Sequence, residues 1–319
     1  MVTARAFVTG IGGQDGSYLA ERLLADGTEV HALVLRDESA ATYTPPEVVT
    51  HVGDLGDVEA TRRLVLDLAP DEVYNLAAIS SVAQSWDEPD LTAHVNGLAA
   101  VALMESARQV GDHVRFVQAS SAEIFGEPDA SPQSERTPVR PLNPYGAAKA
   151  FAHLSVAVQR SRGLHASSLV LYNHESPRRP ERFVTRKITS GVAAIARGRA
   201  DILTLGNLDA RRDWGWAPDY VDAMLRAART DEADDFVVAT GVGHTVRDFV
   251  EAAFRHAGIS DWEPLVATDP AFVRPADATD LTGDPTHARD RLGWEPTVDF
   301  DGIVAAMVAA DLALLDESA

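Results

Sequence analysis

The chain contains no cysteine, which excludes a disulfide framework, a thiolate metal site and a cysteine nucleophile. It also lacks any apolar run approaching the roughly 20 residues that a membrane helix requires. The first strand-like segment, around Phe7 and Val8, begins too early for a signal peptide. Positive charge is scarce: 28 lysines and arginines stand against 48 aspartates and glutamates, a formal charge of −20. Such a balance argues against nucleic-acid binding and reads as a solvated surface. Together these absences predict a cytoplasmic protein with neither membrane nor nucleic acid among its partners. The few cations stand out, and they concentrate in Arg178, Arg179, Arg182, Arg186 and Lys187.

What is present is 319 residues, 45% of them hydrophobic, enough for a substantial core and a smaller attached region. Apolar segments at 5 to 9, 29 to 35, 72 to 77, 114 to 119 and 166 to 172 read as buried strands. Between them, Leu19, Leu23 and Leu24 mark one helix face and Val101, Leu103, Met104 and Ala107 another. This alternation predicts an α/β fold, a doubly wound parallel sheet covered by helices. Short strands are expected near 202 to 205 and 236 to 240. A helix over about 246 to 257 should end at Gly258.

Residues 9 to 16 read TGIGGQDG, with Gly10, Gly13 and Gly16 directly after a strand and before an amphipathic helix. Glycines there let the backbone turn sharply and approach a pyrophosphate, while the helix N-terminus offers amides to the anion. The second strand ends in Val34, Leu35 and Arg36, where an NAD enzyme would usually carry an acid for the ribose hydroxyls. The guanidinium suits a 2′-phosphate, so NADP is preferred over NAD, although Asp37 and Glu38 stand next to it. Asp54 and Leu55 after a third strand, and Leu76, Ala77 and Ala78 after a fourth, are candidates to line adenine and ribose, or are plain turn and core residues.

Residues 143 to 150 read NPYGAAKA, so Tyr145 and Lys149 share one helix face. An ammonium near a phenol favours the phenolate, a base able to take a proton from an alcohol. Just upstream, QASSAEIFG at 118 to 126 ends a strand with Ser120, Ser121 and Glu123 facing the same cleft. Ser121 can hydrogen-bond the alcohol. Alcohol oxidation needs no second base, so Glu123 points to proton removal from carbon beside a new ketone.

Together these motifs resemble the extended short-chain dehydrogenase/reductases. TGIGGQDGSYLAE, DEVYNLAA, QASSAEIFG, NPYGAAKA, NHESPRR at 173 to 179, FVTRKIT at 183 to 189 and LGNLDARRDWG at 205 to 215 narrow the resemblance to the GDP-mannose 4,6-dehydratase family, over about residues 5 to 312. It implies a Rossmann-like NADP-binding domain over 1–172, with 207–243 returning to it, and a smaller α/β sugar-nucleotide domain over 173–319. It implies that Tyr145 takes the proton from the C4 hydroxyl as hydride passes to NADP, that Glu123 removes the C5 hydrogen, and that water leaves C6 before the hydride returns there. The product is a 4-keto-6-deoxy sugar, with no metal involved. By the same resemblance Asn173, Lys187, Arg212 and Arg274 hold the GDP-sugar, Ser80 and Ser85 lie near the hexose, and His174 lies beside the nicotinamide. A lone histidine is as readily a hydrogen-bonded structural residue.

Three departures qualify the resemblance. Ala122 stands where the family usually has a hydroxyl, so protonation of the departing water passes to Glu123 or solvent. Asp277 replaces the usual glutamate and shortens a ribose or base contact. The segment from Asp37 to Val49 is shorter than expected, and in family members that region joins dimers into tetramers, so a homodimer is expected as readily as a homotetramer. Rival readings are a dehydratase for another sugar nucleotide such as a GDP-manno-heptose, a 4-epimerase or 4-reductase, and a non-enzymatic cofactor sensor. Glu123 speaks against the epimerase and reductase, and the joint presence of Tyr145, Lys149 and Glu123 against the sensor.

Overall fold

The apolar runs of the first half form parallel strands buried on both faces, as a sheet covered by helices requires. The computed structural model describes residues 4–35, 43–272 and 278–317. The first half contains β1 (Arg5–Thr9), α1 (Gln14–Ala25), β2 (Glu29–Val34), β3 (Val49–Val52), α2 (Val58–Leu68), β4 (Glu72–Asn75), α3 (Val82–Asp87), α4 (Pro89–Ala93), α5 (Ala100–Val110), β5 (Arg115–Ala119), α6 (Pro144–Ser161) and β6 (His165–Leu171). The second half adds β7 (Asn173–Glu175), α7 (Val184–Ala196), β8 (Leu203–Leu205), β9 (Arg211–Trp216), α8 (Ala217–Arg229), β10 (Asp235–Val238), β11 (Gly243–Thr245) and α9 (Val246–His256). It closes with β12 (Val266–Thr268), β13 (Asp280–Leu281), α10 (Thr286–Leu292) and α11 (Phe300–Glu317).

Seven strands form one sheet in the order β10-β6-β5-β4-β1-β2-β3, every neighbouring pair parallel. This is the expected doubly wound sheet. The winding reverses at β1, which has β2 on one side and β4 on the other, and the crevice beyond the carboxyl ends of such strands is where open sheets bind ligands. One face packs Val8, Val30 and Val117 against Leu19 and Leu23 of α1 and Val221 and Met224 of α8. The other packs Phe7, Val73 and Phe116 against Val65 of α2 and Leu103, Met104 and Ala107 of α5.

At Asn173 the chain leaves this sheet for a smaller one in which β9 pairs with β7, β11 and β13. Of the stretch 207–243, β9 belongs to the small sheet, while α8 and β10 return to the large one. Trp214 of β9 packs with Phe249 of α9 and with Ile303 and Met307 of α11 in a separate core. The helix expected to stop at Gly258 runs to His256, with a capping box of Thr245 and Asp248 at its start and Gly258 at φ +79° beyond its end. The small-sheet strands gave no sequence signal because they are two to six residues long and β9 buries Arg212 and Asp213 where alternation would demand apolar residues.

Candidate active site

The glycine turn lies at the β1/β4 crevice. Gly10 has φ +75°, and a Cβ there would stand 2.8 Å from the Ala77 amide nitrogen. A Cβ on Gly16 would collide with the Gly10 carbonyl oxygen. Both positions therefore need glycine for α1 to start this close to β4. Thr9 ties the two loops: its hydroxyl donates to Asn75 Oδ1 (2.7 Å) and accepts from the amides of Leu76 and Ala77 (3.1 Å each). No side chain caps α1, so its positive end remains available to an anion. A backbone cradle and an uncapped helix fit a dinucleotide pyrophosphate. Leu76, Ala77 and Ala78 edge this crevice, half-buried; Leu55 is buried, and Asp54 is exposed with its carboxylate accepting from the Gly56 amide at 2.8 Å.

The serines and glutamate of the β5 loop meet the start of α6. Ser121 hydrogen-bonds the Tyr145 phenol. Asn143, the N-cap of α6, accepts from the Gly146 amide at 2.7 Å and donates from Nδ2 to Glu123 Oε2 at 2.8 Å. Ser85 is enclosed; its hydroxyl donates to Val82 O (2.7 Å) and accepts from the Tyr145 amide (3.2 Å), so here it positions the tyrosine. Lys149 is buried, 5.9 Å from the Tyr145 ring, and donates to Ala119 O at 2.8 Å. Burial pushes the phenol up to about 12, with Glu123 and Asp15 adding to the rise and Ser121 and Arg179 opposing it. Burial also pulls the Lys149 ammonium down to about 8. The expected lowering of the phenol by Lys149 does not appear, because the lysine spends its contact on a backbone carbonyl and burial dominates.

His174 does more than neighbour this cluster. Its Nδ1 faces Tyr172 O at 2.7 Å and its Nε2 faces Asp15 Oδ2 at 2.8 Å. Both partners are acceptors, an arrangement that favours hydrogen on both ring nitrogens and so the imidazolium form. Burial works against that charge, but the Asp15 carboxylate outweighs it and raises the histidine pKa. The ring stacks on Tyr220 at 4.5 Å. Gln14 bonds both Asp15 and His174 O, at 3.1 and 3.0 Å. The glycine turn and β7 are thus locked together.

The basic tract divides by task. Arg178 reaches Ser17 (3.1 Å) and Glu21 (2.6 Å) on α1. Arg179 pairs with buried Glu175 at 3.2 Å and stacks on Phe183 at 3.7 Å. Arg186 pairs with buried Asp311 of α11. Arg182 lies 3.5 Å from Ser80 Oγ, and Lys187 stands over the Phe272 ring at 3.6 Å, its ammonium pKa lowered by burial. Asn173 lies opposite Trp214 in the β7–β9 pairing, two residues from Arg212. Arg212 is buried and donates to the carbonyls of Arg211 (2.7 Å) and Ala278 (2.9 Å). Arg36, Arg274 and Asp277 lie outside the described residues.

A family model described as GDP-mannose 4,6 dehydratase matches residues 7–307. This chain belongs to the GDP-mannose 4,6-dehydratase family. GDP-mannose 4,6 dehydratase 2 of Arabidopsis thaliana is 45% identical over 326 residues, covering 97% of this chain and 87% of that protein. Among solved structures, UDP-glucose 4-epimerase of Thermus thermophilus in complex with NAD is similar at TM-score 0.83 and 30% identity, covering 96% of this chain and 98% of that one. RMD of Pseudomonas aeruginosa complexed with NADPH matches at TM-score 0.82 and 25% identity, covering 98% and 100%. The structural relatives thus support a nicotinamide cofactor for this dehydratase-family chain. Sequence reasoning left unassigned Asp15, Arg179, Glu175 and Asn143. An acid in the first turn of a helix and an Asn at an N-cap are explained by capping and the helix dipole alone, so neither drew attention. No helix among the described residues is long and apolar enough to cross a membrane.

Proposed function

We propose that this chain converts GDP-mannose to GDP-4-keto-6-deoxymannose with NADP retained through the cycle, the β5 loop and α6 supplying the bases. When bound, the cofactor supplies a hydride acceptor and later a donor, and its oxidised ring brings positive charge. Gly10, Gly13, Gly16 and the uncapped end of α1 hold the pyrophosphate, with Leu76, Ala77, Ala78, Asp54 and Leu55 along the adenosine and Arg36 on the 2′-phosphate. Arg36 in place of a carboxylate supports NADP over NAD. Ser121 and Tyr145 hold the sugar C4 hydroxyl, and Tyr145 accepts its proton. A phenol raised to about 12 by burial gives up its proton only when positive charge is brought beside it. Loss of the C4 hydrogen leaves a ketone that acidifies C5, and Glu123 takes that proton. The C6 hydroxyl leaves as water, protonated by Glu123 or solvent because Ala122 offers no hydroxyl. Asn173, Lys187 and Arg212, with Arg274 and Asp277, hold the nucleotide diphosphate, and Ser80 edges the hexose.

The observation that carries this reading is Glu123 of the β5 loop bonded by Asn143, the N-cap of the helix that carries Tyr145. Glu123→Gln keeps side-chain size and removes the base. In a single turnover with GDP-mannose, NADPH absorbance should accumulate while little solvent deuterium enters C5 and little water is lost. Product formed at an undiminished rate would remove Glu123 from the role.

A homodimer fits one further feature. Phe151, Leu154 and Val158 are all exposed, 47%, 56% and 57%, along one face of α6, beside exposed Leu91 and Leu98. Sedimentation of the purified protein as a monomer would sink this assignment.

A further inference from the structure

Two groups of the proposed reaction must keep a fixed separation: the base for the C4 hydroxyl, on α6, and the base for C5, on the β5 loop. The first turn of α6 sits directly on the loop. A Cβ on Gly146 would stand 2.5 Å from the Glu123 carbonyl oxygen, so only glycine allows this approach. The donors of that turn are all satisfied. Pro144 has no N–H, the Tyr145 amide goes to Ser85 Oγ (3.2 Å), the Gly146 amide to Asn143 Oδ1 (2.7 Å) and the Ala147 amide to Asn143 O (3.0 Å). Capping needs only one acceptor atom, which serine or aspartate would supply equally well. The Asn143 amide has a second arm, and it donates to Glu123 Oε2 at 2.8 Å from a side chain that is 6% exposed. Helix capping does not explain that arm.

We propose that Asn143 is a positioning residue for the C5 proton transfer. Resting on the reading of Glu123 as the C5 base, the proposal is that one amide holds the Glu123 carboxylate at a set offset from Tyr145. Oδ1 fixes the amide to the helix carrying the phenol, and Nδ2 fixes the carboxylate to the amide. Proton removal is steep in distance, so a carboxylate whose offset from Tyr145 that amide no longer sets loses the second step while the first, which depends on Tyr145 and Ser121, persists.

The test uses the holoenzyme and two variants that both preserve the cap. Asn143→Ser removes the second arm, and Asn143→Asp replaces the donor with a second carboxylate facing Glu123. Each is followed in single turnovers with GDP-mannose by NADPH absorbance and by deuterium entry at C5, with melting temperature as the check on folding. C4 oxidation should proceed within a few-fold of the parent, while C5 exchange falls about ten- to a hundredfold in Asn143→Ser, the worth of a hydrogen bond to a charged group. Asn143→Asp should fall further. A purely structural role would move both steps together with the melting temperature, or neither step. If both variants exchange C5 at the parental rate while Glu123→Gln does not, the proposal is overturned and the base stands. If Glu123→Gln also exchanges normally, the underlying reading fails instead.

Discussion

Replacing Asp311 with alanine tests how the C-terminal helix supports a site it does not touch. Asp311 is 3% exposed and Arg186 6%. Arg186 Nε donates to both carboxylate oxygens at 2.8 and 3.0 Å, and Nη2 lies 2.6 Å from Oδ1. The remaining nitrogen donates to the carbonyls of Pro177 and Arg179. Asp311→Ala leaves the guanidinium buried without its counter-charge, a loss of about 3–5 kcal/mol for a broken buried pair. Unfolding entropy is about 2 cal/mol/K per residue, and over 319 residues that loss lowers the melting temperature by about 5–8 °C. Removing both charges, Arg186→Met with Asp311→Leu, should recover most of it, because desolvation of the pair offsets its attraction. The double variant still lacks the donors to the carbonyls of Pro177 and Arg179, so the turn carrying Arg179, whose charge opposes the rise of the Tyr145 phenol, loosens. Its turnover should therefore stay low while stability returns. Thermal melts and steady-state rates on the same preparations separate the two effects. A shift under about 1 kcal/mol for Asp311→Ala would refute the premise that the pair is desolvated.

Other expectations follow from the crevice and the histidine. Gly16→Ala brings a Cβ onto the Gly10 carbonyl, so the protein should purify without dinucleotide, measured by chromatography of acid-released cofactor; full retention would contradict the close approach, and finding NAD in the parent would overturn the assignment of Arg36. His174 is raised above 6.5 by Asp15 against the effect of burial, and Asp15 is lowered below 3.8, His174 outweighing burial. The histidine contribution is therefore full below pH 6.5 and lost as pH rises through its folded value, while the Asp15 contribution disappears only in acid below 3.8. The melting-temperature gap between parent and His174→Gln should shrink as pH rises above 6.5, and a constant gap would mean the pair does not titrate.

Several features needed nothing beyond the order of residues. Gly10 and Gly16 answer to steric conditions set within a few positions of themselves, so the strand, turn and helix they join could be read directly. Tyr145 and Lys149 share a face because four residues make about one helical turn. The family rests on motifs whose order along the chain is itself the signal. What the sequence could not decide was which partner each charge would take. Arg178, Arg179 and Arg186 look alike in a row, yet they are committed to three different acids, Glu21, Glu175 and Asp311. The Asp15–His174 pair joins residues 159 positions apart, and Asn143 meets Glu123 across a loop. The phenol rises rather than falls because the depth at which α6 sits on β5 determines its desolvation. Hydrophobic period and local propensity describe which face of an element is buried. They do not carry the distance between two elements, and that distance decides which charges pair and how far each is removed from water.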